Sequence, residues 1–166
     1  MGNPAGQQNP LVKASEINAM DEIEFHHPLN PNSEIHIRPL ANAVGFDRIG
    51  LSLVRMPPGK ESFVYHAHHN EEEWLYILSG RGMAEIGDRE VEVGPGDFMG
   101  FGLPQAPHHL RNPFSEDLVY LMGGEQLSFD IAVFPRLNKR IIQDGETAYI
   151  VDDASLQGLG TLQETE

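Results

Sequence analysis

From Glu34 to Val151 the chain is a succession of short apolar runs alternating with polar residues, cut by Gly, Pro or Asn at roughly the 8–12 residue spacing of a β-sandwich or barrel. Ile49, Leu51 and Leu53 alternate with Gly50 and Ser52 before the breaker Pro57-Pro58-Gly59. Further runs cover Glu73 to Leu78, Gly82 to Ile86, Phe98 to Phe101, Leu118 to Met122 and Phe129 to Phe134. Gly87-Asp88 reads as a hairpin turn, and 17 Gly and 12 Pro supply the remaining punctuation. Helical periodicity is nearly absent, apart from a short turn expected at Ser15-Glu16-Ile17-Asn18. About ten short strands of this kind are best accommodated in a double-sheet jelly roll or a closed barrel, which limit exposed edges. The expected fold class is therefore all-β, one domain in 166 residues. Residues 1–33 are expected to form an N-terminal arm or extension, mobile at its start, and residues 34–135 the barrel. Residues 136–166 are read as an extension partly packed on the barrel, with an acidic, solvated tail in which Tyr149-Ile150-Val151 is a candidate edge strand.

Composition narrows the chemistry. There is no cysteine, so any metal must be held by nitrogen and oxygen. A formal charge of −14 argues against nucleic acid and anionic membrane surfaces, which require clustered Lys and Arg. The apolar runs are too short to span a bilayer, and Met1-Gly2-Asn3-Pro4 does not begin a secretion signal, so a soluble, cytoplasmic protein is expected.

Two histidine clusters carry the functional signal. The first is Tyr65-His66-Ala67-His68-His69-Asn70-Glu71-Glu72-Glu73, and the second is Pro107-His108-His109-Leu110-Arg111-Asn112. In an extended segment side chains alternate, so His66 and His68 share the face of Val64, while Tyr65, Ala67 and His69 point away. His108 shares a face with Leu110, and His109 with Arg111. The set His66, His68, Glu73 and His108 then offers three imidazoles and one carboxylate to a divalent transition ion, leaving positions open for a substrate. Glu72 in place of Glu73 is an alternative, as is direct ligand binding by the cluster without a metal. His69 and His109 are read as surface or supporting groups, and His26 and His27 as ordinary loop residues.

Gly59, His66, His68, Glu73 and Gly80 resemble the first signature of the cupin superfamily, with one residue more than usual between Gly59 and His66. Gly87, Gly94-Pro95-Gly96-Asp97, His108 and Asn112 resemble the second, with an apparent insertion in residues 102–107. The resemblance, to single-domain bacterial cupins, implies a small double-stranded β-helix binding one divalent ion (Fe, Mn, Ni, Cu or Zn) through His66, His68, Glu73 and His108.

Other candidates are tied to the pocket walls. If Ile49, Leu51 and Leu53 form the inward set of their strand, Arg55 reaches the barrel mouth, where it would pair with a substrate carboxylate; a solvated strand end is the alternative. Tyr120 and Met122 share a face and are candidates for the pocket lining. Trp74 and Tyr76 point away from Glu73, towards an outer sheet face or a homodimer interface. The expected function is metal-dependent dioxygenase- or isomerase-type chemistry on a small organic acid or sugar; the alternative is a non-catalytic binder of a small ligand.

Overall fold

The alternating runs become the strands of two facing layers in a computed structural model that describes residues 9–160. In chain order these are α1 (Ala14–Asn18), β1 (Ile23–Phe25), β2 (Ile35–Pro39), α2 (Leu40–Val44), β3 (Ile49–Met56), β4 (Ala67–His68), β5 (Glu73–Ser79), β6 (Gly82–Ile86), β7 (Arg89–Val93), β8 (Phe98–Phe101), β9 (His108–Arg111), β10 (Leu118–Glu125), β11 (Phe129–Phe134), β12 (Lys139–Asp144) and β13 (Thr147–Asp152). One layer is a six-stranded sheet in the order β1-β2-β3-β10-β5-β8. The other comprises β13-β12-β11-β4 and β7-β6-β9, with the segment leading into β4 joined to β9 by isolated antiparallel bridges, Glu61 to Arg111 and His66 to His108. The fold is all-β and consistent with a jelly roll.

Alternation determines what the layers bury. Val54 and Met56 of β3, Leu75 and Ile77 of β5, and Leu118 and Tyr120 of β10 meet in the main core. Val64, Ala132 and Phe134 form a smaller cluster beside it. At Gly80 the turn after β5 requires φ of +75°, and a Cβ there would lie 2.1 Å from the Asp117 carbonyl oxygen, so only glycine fits.

The structure differs from the sequence reading in three places. In β3 the inward residues are Val54 and Met56, so Ile49, Leu51, Leu53 and Arg55 take the opposite parity. The apolar odd positions mislead because they are only half-buried, with Leu51 reaching the cavity wall rather than the main core. The strand expected through His68 is reduced to β4 and isolated bridges at Glu61 and His66. The sheets also extend beyond residues 34–135, beginning at β1 and ending at β13, which forms an edge paired with β12. The sequence of β12, Lys139-Arg140-Ile141-Ile142-Gln143-Asp144, carries no clean alternation because both of its faces are half-covered. Residues 1–8 of the expected mobile arm, and Glu164 and Glu166 of the acidic tail, lie outside the described residues. Among the described residues no helix is long and apolar enough to cross a membrane.

Candidate metal centre

The site lies at the seam between the two parts of the second layer. His66 and His108 pair backbone to backbone, each N–H donating to the other's carbonyl at 3.0 and 2.7 Å. This brings their rings to 4.6 Å between centroids, while His68, two residues on, stands 5.1 Å from His66. Glu73, at the start of β5, reaches across from the six-stranded sheet. Its Oε1 lies 3.0 Å from His108 Nε2 and 3.7 Å from both His66 Nε2 and His68 Nε2. Donor atoms held about 2.0–2.2 Å from one ion sit about 3.0–3.5 Å apart, close to these separations.

Tautomers follow from what the other ring nitrogens face. His66 Nδ1 lies 2.7 Å from the Val64 carbonyl, His68 Nδ1 2.6 Å from Asp130 Oδ2, and His108 Nδ1 3.2 Å from the Ala106 carbonyl. These oxygens only accept, so each Nδ1 carries a proton, and a ring that holds only that proton turns its Nε2 lone pair towards Glu73. The close contact of His108 with Glu73 is then not a hydrogen bond, in keeping with Glu73 Oε1 being buried without a hydrogen-bond partner. Three lone pairs around an unpaired carboxylate oxygen repel one another unless a cation sits among them. The donor set thus fits a divalent transition ion, and His66, His68 and Glu73 satisfy the distance requirement for a shared ion. Phe101 stacks on His108 at 3.6 Å, fixing that ring.

The local charges have separate causes. Burial, with His108 adding to it, pushes His66 down to about 3, so it stays neutral. Burial opposes charge on His68, but Asp130, Glu73 and Glu71 together outweigh it and raise its pKa. Burial raises Glu71.

The cluster borders a cavity of about 490 Å³ whose wall includes Ser52, Phe63, Gln126, Ala132, Phe134 and Gln143. His66, Glu73 and Met122 separate it from a much smaller space in the core, which Tyr120 lines. Met122 is thus at the cavity, whereas Tyr120 lies behind the cluster, its fully buried hydroxyl raised in pKa by burial. Arg55 lines neither space. It donates to Glu22 at 2.6 Å and to Asp117 at 3.4 Å, because its parity on β3 faces outward, and the expected substrate-binding role is withdrawn.

Three residues escaped the sequence reading. Asp130, 3% exposed, shares the inward parity of Ala132 and Phe134 on β11, and a lone carboxylate on that face was the available signal. It binds His68 Nδ1–H and, through Oδ1, accepts the Asn70 N–H at 2.9 Å. Glu71 completes a second close group with His68 and Asp130, but the histidine nitrogen there is the protonated Nδ1, so that group orients the ring. His27, expected to be an ordinary loop residue, is buried at the cavity wall. Its Nδ1 accepts the Leu29 N–H at 3.2 Å, and burial lowers its pKa. Nothing marked it in sequence, since its place depends on Phe63 and Phe134 packing edge-on around it. His26 is at the surface between Glu24 and the Ser33 carbonyl. Glu72 is not among the cavity residues. His109 is buried on the opposite side of β9 from His108, between Glu61 and Glu85 at 3.6 Å each.

A two-layer β fold with a histidine–glutamate cluster at a cavity defines a cupin-type protein, and the cupin-domain family profile matches residues 52–124. A crystal structure from Acidithiobacillus ferrooxidans, provisionally named a sugar phosphate isomerase, is 36% identical; the match covers 91% of this chain and 97% of that one, with a TM-score of 0.88. This chain belongs to the cupin superfamily. A Silicibacter pomeroyi cupin named a sugar phosphate isomerase shares the fold at 20% identity, with a TM-score of 0.78 over 91% of this chain and 98% of that one. An uncharacterized Methanocaldococcus jannaschii protein is 35% identical over 57 residues, a match spanning 34% of this chain and 44% of that protein.

Proposed function

We propose that the chain is a divalent-metal-dependent isomerase acting on a small polyhydroxy carbonyl compound, with His66, His68, Glu73 and His108 holding the ion. The observation carrying this reading is the buried, unpartnered Oε1 of Glu73 surrounded by three Nε2 atoms beside a cavity. The 36% identity to a protein provisionally named a sugar phosphate isomerase supports it. A bound divalent ion supplies Lewis-acid polarisation of carbonyl and hydroxyl oxygens.

The chain's own residues provide the rest. Isomerisation moves a proton between adjacent carbons and needs no external oxidant. Glu71 suits that transfer: it lies at the cavity wall, its Oε1 is fixed by the Leu127 N–H at 2.7 Å, and burial raises its pKa towards the working range of a general base. Phe63, Met122, Ala132 and Phe134 give the cavity wall its apolar surface.

The test is proton NMR of the metal-saturated protein with a panel of aldoses and ketoses in deuterated water. Interconversion with deuterium incorporated at the exchanging carbon is expected, and Glu71→Gln should keep the metal while losing the exchange. A metal-saturated wild type that neither interconverts nor exchanges any member of the panel would refute the reading.

A further inference from the structure

We infer that the cavity takes a neutral, hydroxyl-rich substrate and discriminates against its phosphorylated or acidic counterpart. This rests on the proposed metal site and specifies its substrate. Of the chain's 11 Lys and Arg residues, none in the described part lines the cavity, and residues 1–8 and 161–166 contain neither type. Lys139 and Arg140, on the strand that contributes Ile141 and Gln143 to the wall, are engaged by Asp152 and Asp153. Four carboxylates do line it: Glu71, Glu73, Glu125 and Asp130. With the histidines neutral and one divalent ion bound, the wall still carries up to two excess negative charges. A phosphate or carboxylate entering it would meet like charge with no guanidinium or ammonium to receive it.

The uncharged groups suit hydroxyls. His27 accepts the Leu29 N–H on Nδ1, so its neutral ring keeps a donor on Nε2. Gln143 gives an amide N–H to the Leu127 carbonyl, which leaves its oxygen free to accept. Ser52 and the exposed Gln126 add a hydroxyl and an amide at the wall. The free oxygens of Glu71 and Glu125 accept from hydroxyls, and Phe63 and Phe134 provide apolar faces for ring or chain carbons. Arg48, two residues before Gly50 of the wall, is exposed, and its backbone carbonyl accepts the Gln126 N–H.

The experiment is calorimetric titration of the metal-loaded full chain, with metal content measured on the same sample. The ligands are D-fructose, D-ribulose and their terminal phosphate esters at matched ionic strength. The free sugars should bind on the order of tenfold or more tighter than the esters. Gln126→Lys, which places a cation at the wall, should narrow or reverse that preference, and Arg48→Ala should leave it unchanged. Esters bound as tightly as the free sugars, loss of ester binding on Arg48→Ala, or failure of every free sugar to bind metal-loaded protein would each overturn the substrate class while leaving the metal site intact. A sample that takes up no metal would sink the metal site and this inference with it.

Discussion

Asp130 is where the metal site is most exposed to a single-atom test. Asp130→Asn preserves volume and removes one acceptor. The native carboxylate accepts from two donors, His68 Nδ1–H at 2.6 Å and Asn70 N–H at 2.9 Å. An amide has one oxygen and one NH2 group, so whichever way it is placed one of these contacts becomes donor against donor. If His68 loses its acceptor, the ring is free to turn or to move its proton to Nε2, the atom that faces Glu73. Partners that orient ligating histidines are worth about 10–100-fold in metal affinity, or about 1.4–2.7 kcal/mol. The metal-free fold should also weaken, because a buried hydrogen bond to a charged group contributes about 1.5–3 kcal/mol, with each kcal/mol worth about 2–4 °C in Tm at this chain length. Competition against a chromogenic chelator measures the first quantity and scanning calorimetry of the metal-free protein the second. His69→Asn, at an exposed neighbour, serves as the control and should change neither. A folded Asp130→Asn protein with wild-type metal affinity would refute the tautomer argument that assigns Nε2 as the ligand atom.

What could be read from sequence, and what could not, divides along a physical line. Period-two alternation places His66, His68 and His108 on inward faces because each side chain's direction is set within its own segment. The turn at Gly87 and the glycine at Gly80 are likewise local, each needing a positive φ. The failures are all non-local. Arg55 lies on the face opposite Val54 and Met56 and pairs with Glu22, and which parity of β3 meets the main core depends on the layer packed over it, not on β3 itself. Asp130 meets His68 only through the pairing of β11 with β4, which aligns Ala132 with His68 across more than sixty residues of sequence. His27 joins the cavity through aromatic packing rather than strand order. The half of the site contributed by the two histidine motifs was therefore accessible in advance, and the half that orients and encloses it was not.

Three further outcomes follow from the same geometry. Arg55→Ala should cost at most about 1 kcal/mol, since its partly exposed pair with Glu22 is screened by solvent. It should leave ligand affinity unchanged in the calorimetric titration; a tenfold loss would restore Arg55 to the pocket. On the outside of the six-stranded sheet, Phe98 is 64% exposed directly opposite Tyr76, with Leu78 exposed on the same face. We propose that this patch pairs with a second copy, so sedimentation at micromolar concentration should give a dimer and Phe98→Asp a monomer, whereas a monomeric wild type would refute it. The last outcome is a loss of stability on mild acidification of the metal-free protein. His66 falls to about 3 in the folded chain, through burial and then His108, against about 6.5 when unfolded. The unfolded state therefore takes up the proton first, and this contribution to stability is lost progressively as pH falls below about 6.5, by up to about 1.4 kcal/mol per pH unit. Burial shifts His27 and His109 in the same direction, while the raised pKa of His68 acts with the opposite sign and reduces the slope. The urea midpoint should thus fall between about pH 6.5 and pH 5, above the range where most carboxylates titrate. His66→Asn should flatten that slope. A wild-type midpoint constant across the window would mean that the folded protein accepts the proton on His66 as readily as the unfolded chain does, which is incompatible with a neutral imidazole waiting for a metal ion.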